Sequence, residues 1–292
     1  MRSDKAMRNA FRRLQLSTAD DPKAAVGILV AALPNDIRCG WDELEFDNQA
    51  RIAFAYQNPG FAHLLTAGMT LPTFREELEW ILGQFDEGLP DGSVLDVGAG
   101  AGVTAAVVAL AAKRSVIACE PAAGAAAAID HVAEVVGVEV RAIEASAAEL
   151  PEDEWRRAAV VVSQSVLCYI EFGADCNCEE AARSAFISGL ASVGEALVVE
   201  HTSNVNINDD GHATWLHFAK SMSDAGMYPI WESASIVSGY TALIPDVPAH
   251  ERPMYARPKL CLRFSKSGDQ HDIESRLVAL LDKNPSGTAW TD

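Results

Sequence analysis

Apolar residues recur at helical spacing through the first third of the chain and then bunch into short runs between helical stretches. Up to about Gly88, three helices are predicted between turn signals. Ala24 to Leu33 is an apolar helix stopped by Pro34-Asn35-Asp36, and Asp47 to Tyr56 ends at Asn58-Pro59-Gly60. Thr73 to Phe85 carries Phe74, Leu78, Trp80, Ile81 and Phe85 at helical spacing, with Gly88 and Pro90 beyond its end.

After Pro90 the period changes. Strands are predicted at Ser93 to Val97, Ser115 to Cys119, Val138 to Ile143, Ala158 to Ser163 and Ala196 to Glu200. Between or after them lie helices at Gly102 to Ala112, Ala123 to Val136 and Glu179 to Ser192. Strands alternating with helices imply a parallel sheet covered on both faces, an α/β fold. A near-continuous run such as Ala159-Val160-Val161-Val162 is what burial on both faces demands. A helix follows at His212 to Ala225, then strands at Met227 to Ala234 and Lys259 to Ser265 with no crossover helix between them. An antiparallel element at one edge is therefore expected. The tail from Gly268 carries one amphipathic helix (Ile273, Leu277, Leu280, Leu281) and a loose end. The layout reads as a helical N-terminal cap over residues 1–88, an α/β domain over 89–267, and a C-terminal helix and tail over 268–292. There are no internal repeats.

Composition narrows the partners more than the fold. The 292 residues are 49% hydrophobic and 22% charged, as in ordinary globular proteins. The net charge is −18, and no dense Lys/Arg stripe interrupts it. Such a surface repels phosphate backbones, which argues against nucleic acid as a partner. Six scattered cysteines, several inside apolar runs, lack the paired density of a secreted scaffold. The Arg-rich segment from Met1 to Gln15 has no apolar stretch of signal-peptide type, and no apolar run is long enough to cross a bilayer. A soluble protein of the reducing cytoplasm, with no membrane partner, is expected.

The most informative segment is Val94-Leu95-Asp96-Val97-Gly98-Ala99-Gly100-Ala101-Gly102-Val103-Thr104, running from a strand through a glycine-rich turn into a helix. Glycine permits positive φ and lets a ligand approach the backbone. In open α/β sheets the carboxyl ends of the strands form the ligand crevice. A dinucleotide fingerprint needs glycine at position 103, where Val103 stands. Asp96, two residues before Gly98, would repel a pyrophosphate and attract a cationic group. Glu120 closes the second strand, where a carboxylate can accept from both ribose hydroxyls.

These residues carry a family resemblance. Residues 91 to about 265 resemble a class I S-adenosylmethionine-dependent methyltransferase, with LDVGAGAG as the first motif and VIACEP as the second. The resemblance implies a doubly wound, mostly parallel seven-stranded sheet with an antiparallel edge hairpin, and S-adenosyl-L-methionine as cofactor. It implies that Asp96 and the loop of Gly98, Ala99, Gly100 and Gly102 hold the methionine part, and that Glu120, with Pro121 beside it, binds the ribose. Ala145 to Pro151 is similar to the third motif. Its usual acid against the adenine amino group is replaced by Ser146, so that hydroxyl and the Ala147 amide are left to serve. Ser163 and Gln164 fall where the family follows its fourth strand, and complete the implied cofactor set. Members often carry a histidine at the place of Cys168 and an acid early in that strand; this chain has neither.

Methyl transfer is an in-line displacement at a sulfonium carbon, so the protein mainly aligns the nucleophile and excludes water. An oxygen nucleophile usually needs a base, whereas an amine need only arrive neutral. His201, directly after the fifth strand, is either that base or a hydrogen-bonded loop histidine. Tyr169 either contacts substrate or packs in the core, and Glu200 either supports His201 or ends a strand in solvent. No metal is expected. Cys176-Asn177-Cys178 lacks a matching second pair, His212 and His217 do not share a helix face, and Asp209-Asp210 lacks an acid near Ser163. Phe54, Tyr56, Phe61, His63 and Leu64 form either an apolar lid over a small organic substrate or a packing and homodimer surface. The expected activity is methylation at O or N of a small metabolite or natural-product intermediate. The alternatives are a peptide, protein or ribosomal acceptor, and a non-catalytic cofactor-binding partner subunit.

Overall fold

The computed structural model of the chain describes residues 2–16, 32–44, 48–67, 71–170, 180–202, 212–237 and 259–282. Its strands are β1 (Ser93–Val97), β2 (Val116–Cys119), β3 (Val140–Ile143), β4 (Ala158–Gln164), β5 (Glu195–His201), β6 (Tyr228–Val237) and β7 (Lys259–Ser265). They form one seven-stranded sheet in the order β3-β2-β1-β4-β5-β7-β6. The pairs β1–β4, β2–β3 and β4–β5 are parallel, and β7 runs antiparallel to both β5 and β6. This is the mostly parallel sheet with an antiparallel edge that the sequence pattern implies. The two late strands are neighbours, with β7 inserted between β5 and β6. Among the described residues no helix is long and apolar enough to cross a membrane.

The chain forms two compact units, one of residues 1–88 with 98–146 and one of 89–97 with 147–292. The first unit holds α1 (Arg2–Arg13), α2 (Asn35–Glu43), α3 (Asn48–Gln57), α4 (Ala62–Ala67), α5 (Leu71–Asp86), α6 (Val103–Ala112) and α7 (Ala125–Val136) beside β2 and β3. Composition draws attention only to the arginines of α1, yet Met7, Ala10, Phe11 and Leu14 recur at helical spacing and all are buried. Pro34-Asn35-Asp36, read in the sequence as a stop, is also a start: Pro34 caps α2, where its missing N–H costs nothing. The helix expected over Ala24 to Leu33 lies largely outside the described residues. Ala55, Tyr56, Ala62 and Leu65 of the cap share a buried cluster with Ala101, Ala125 and Ala128, so the early helices pack onto the glycine-loop region. All four residues of β2 are buried.

The second unit holds β1, β4 to β7, and α8 (Glu152–Arg157), α9 (Leu167–Ile170), α10 (Glu180–Val193), α11 (His212–Asp224) and α12 (Ile273–Asp282). Val160, Val161 and Val162 of β4 are buried in succession, as are Ala196 to Glu200 of β5, so both faces of these strands are covered. A core of rings ties α10 and α11 to β7: Phe218 sits 6.4 Å from Phe186, 6.0 Å from Trp215 and 5.4 Å from Phe264, centroid to centroid. The short α8, which the sequence pattern did not suggest, carries the buried Trp155. Its ring lies over Gly189, where a Cβ would come within 2.4 Å of it.

Candidate functional site

In the first unit the site grows from the end of β2. Cys119 O accepts from both Gly98 N (2.8 Å) and Ala99 N (3.0 Å), and Gly102 N donates to Ala99 O at 2.9 Å, closing the turn. Gly98, Gly100 and Gly102 take φ of 70°, 56° and 82°, the left-handed region that favours glycine. The last two need glycine for different reasons. A Cβ on Gly102 would meet Ile129 Cγ1 at 3.0 Å and Ile129 Cα at 3.1 Å, so this position lets α6 and α7 approach. A Cβ on Gly100 would have only the Tyr56 hydroxyl nearby, at 3.7 Å, which leaves that side of the loop open to a ligand.

Glu120 follows β2 directly. Its backbone continues the ladder, with Glu120 N donating to Ile143 O (3.1 Å) and Ala145 N to Glu120 O (3.2 Å). Its carboxylate accepts from Gly100 N at Oε2 (3.0 Å) and from Ala122 N at Oε1 (3.3 Å). Burial pushes the Glu120 carboxyl above its ordinary value, while the two amide bonds hold it down. Pro121 is exposed beside it, and Ser146 is partly buried after β3. Glu144 accepts from Gly124 N at 2.9 Å and fixes the turn into α7.

In the second unit Asp96 and Ser163 lie at the carboxyl ends of β1 and β4, both buried. Asp96 pairs in register with Val162, and Val97 with Ser163. The strand order turns back at β1 and β4, and in open α/β sheets ligands bind outside the strand ends at that switch point. Among the described residues Ser163 Oγ makes no hydrogen bond. Gln164 is partly buried at the end of β4, and Ala147 sits in the turn before α8. His201 ends β5, with its carbonyl accepting from Trp215 Nε1 at 3.0 Å and its amide donating to Glu200 Oε1 at 2.8 Å. Glu200 is buried and also accepts from Leu167 N at 2.8 Å, so it ties the end of β5 to the start of α9 and is not a solvated strand end. Tyr169 falls in α9, and its side chain lies outside what the structure describes, as do Cys176, Cys178, Asp209 and Asp210.

Each unit thus gathers part of the set. The loop glycines, Ala99, Glu120, Pro121 and Ser146 meet at the carboxyl end of β2; Asp96, Ser163, Gln164 and His201 line the ends of β1, β4 and β5. Sequence reasoning missed Ser165 and Lys259 of the second unit, which share a hydrogen bond. The signal was available: Lys259 is a lysine opening the otherwise apolar Leu260-Cys261-Leu262 run. The apolar cap residues Tyr56, His63 and Leu64 are buried, and Phe54 and Phe61 pack partly buried against the same core cluster.

No family model and no curated protein matches the chain. Among solved structures it is similar to geranyl diphosphate C-methyltransferase from Streptomyces coelicolor A3(2), in complex with Mg2+, geranyl diphosphate and S-adenosyl-L-homocysteine. That likeness has 11% identity over 66% of this chain and 79% of that one, with a TM-score of 0.48. It is also similar to magnesium protoporphyrin IX methyltransferase from Synechocystis PCC 6803 with bound S-adenosylhomocysteine (16% identity, 66% and 84% covered, TM-score 0.47). A third is a point mutant of the 16S rRNA (adenine(1408)-N(1))-methyltransferase from Catenulisporales acidiphilia (16% identity, 67% and 93% covered, TM-score 0.43).

Proposed function

We propose that the chain binds S-adenosyl-L-methionine and transfers its methyl group to an oxygen or nitrogen of a small metabolite or natural-product intermediate, in the cytoplasm. One observation carries the cofactor reading: the Gly100 amide, which a phosphate-binding loop would aim at its ligand, is given to the Glu120 carboxylate. The loop therefore presents an acceptor of hydroxyl protons and a negative charge, which fits a ribose and opposes a pyrophosphate. Each Glu120 oxygen takes one backbone donor, and a carboxylate offers about four acceptor sites in all, so capacity remains for two ribose hydroxyls.

Bound S-adenosylmethionine would supply an electrophilic methyl carbon. The residues of this chain would do the rest. Gly98, Ala99, Gly100 and Gly102 shape the cradle, and Asp96, just ahead of them in the chain, supplies the charge for an amino group. Ser146 and Ala147 serve the base, and Ser163 and Gln164 supply polar groups at the end of β4. His201 would take a proton from a hydroxyl acceptor, a reading supported by its position at the end of β5 and by the hold of Trp215 and Glu200 on its backbone. Among the described residues Cys39, Cys119 and Cys261 stand as thiols outside any disulfide, which suits a reducing compartment.

The test is transfer from methyl-labelled S-adenosylmethionine into a bacterial extract split into low-mass and macromolecular fractions. Label in the low-mass fraction, lost with Glu120→Ala, supports the reading. Label confined to protein or RNA moves the acceptor to the macromolecular class, and no label in either removes the enzymatic claim.

A further inference from the structure

The second unit carries a polar pair at the carboxyl edge of its sheet that the cofactor reading does not use. Lys259 opens β7 and is only 5% exposed, and its Nζ donates to Ser165 Oγ at 2.8 Å. Ser165 follows β4 with φ of 55°, a conformation unfavourable for a non-glycine residue that marks sites where geometry matters. It is held there by its own amide, which donates to Val199 O at 2.8 Å and extends the β4–β5 ladder by one rung. The hydroxyl is thus fixed from the backbone side and from the lysine side.

The register puts Lys259 directly opposite His201, and opposed residues of an antiparallel pair project from the same face. Glu200, one residue earlier, projects from the other face, where it holds Leu167 N and His201 N. One face of this strand end therefore presents an ammonium, a hydroxyl and an imidazole. A buried ammonium acts on an anion beside it more strongly than an exposed one, because water and salt screen it less. In a chain of net charge −18, an anion also needs a local cation to bind at all. An ammonium beside a hydroxyl, at the edge where this fold class receives ligands, is the chemistry that captures a carboxylate.

We propose that Lys259 and Ser165 form a carboxylate-binding subsite, so that the methyl acceptor is a small carboxylic acid anchored through its carboxylate. That the ligand is a methyl acceptor rests on the proposed transfer; that a carboxylate binds here rests on the Lys259–Ser165 geometry alone. The test uses the full chain and matched probes: benzoate with benzamide, phenylacetate with phenylacetamide, and hexanoate with hexanamide, followed by ligand-observed NMR. In at least one pair the carboxylate binds ten times or more tighter than its amide. Lys259→Met abolishes that preference, and Lys259→Arg keeps part of it. Should Lys259→Met not fold, Ser165→Ala is read in its place and weakens the carboxylate severalfold with an unchanged near-UV circular dichroism spectrum. Absence of a preference in every pair, binding of neither member included, overturns the proposal, as does a preference that survives Lys259→Met. S-adenosylhomocysteine is titrated alongside. A carboxylate preference without cofactor binding keeps the subsite and removes the transfer, and cofactor binding without the preference does the reverse.

Discussion

Gly100 gives its amide proton to Glu120 Oε2 across 3.0 Å, so the glycine turn and the acid that ends β2 are locked together before any ligand arrives. Burial raises the Glu120 carboxyl above its ordinary value of 4.5. The folded state therefore holds that proton to higher pH than the unfolded chain does. The stability this contributes is present below the ordinary value and lost as pH rises through the raised one. Glu120→Gln stays neutral throughout. The Tm of wild type relative to Glu120→Gln should fall as pH rises above the ordinary carboxyl value of 4.5. A difference that is flat or rises places the carboxylate in a better-solvated setting than the one described.

The two loop glycines should respond differently to alanine. Gly102→Ala drives a Cβ to 3.0 Å from Ile129 Cγ1 at a φ of 82°, and about 2–3 kcal/mol of stability should be lost. Gly100→Ala meets only the Tyr56 hydroxyl at 3.7 Å and should cost about 1 kcal/mol, from backbone strain. Urea denaturation measures both, and equal losses would mean that the two glycines answer one constraint.

His63 in the first unit is buried, with Nε2 3.1 Å from Leu14 O and its ring 5.9 Å from that of His131. Burial lowers its pKa to about 4; the bond to Leu14 opposes this and His131 adds to it. A lowered histidine contributes stability above its ordinary value of 6.5 and loses it as pH falls toward about 4. Roughly 3 kcal/mol should disappear over that window. His63→Leu should remove most of this slope in denaturant titrations at stepped pH, and a slope left intact would assign the acid sensitivity elsewhere.

Ser163 hides a hydroxyl that makes no hydrogen bond among the described residues. Ser163→Ala should leave stability unchanged or raise it by up to about 1 kcal/mol, because an unsatisfied buried group is removed. Its affinity for S-adenosylhomocysteine should fall severalfold if that hydroxyl meets the ligand. A loss of stability would show that the hydroxyl is bonded in the folded protein.

Much of the sheet was legible because its strands are short, continuously apolar and bounded by turns. Val160 to Val162 announce burial on both faces, and the glycine loop announces itself by spacing. The misses have physical causes. Helix α1 hides its Met7–Phe11–Leu14 stripe among arginines, α2 begins at a proline that also reads as a stop, and α8 is too short to show a period. At the site, the Glu120 position was legible but its hold on Gly100 was not, since a backbone donor leaves no mark in the sequence. Lys259 was overlooked because a single lysine at a strand start ordinarily points to solvent. Only the register opposite His201 and the reach to Ser165 reveal it.

Calorimetric titration of the purified protein asks whether the loop and Glu120 bind the nucleoside of a sulfonium cofactor, as proposed. S-adenosylhomocysteine should bind in the micromolar range, NAD should not, and Glu120→Ala should weaken binding by about 10- to 100-fold, as expected for losing hydrogen bonds to a charged group. Binding of NAD in preference, or S-adenosylhomocysteine affinity indifferent to Glu120→Ala, would contradict it.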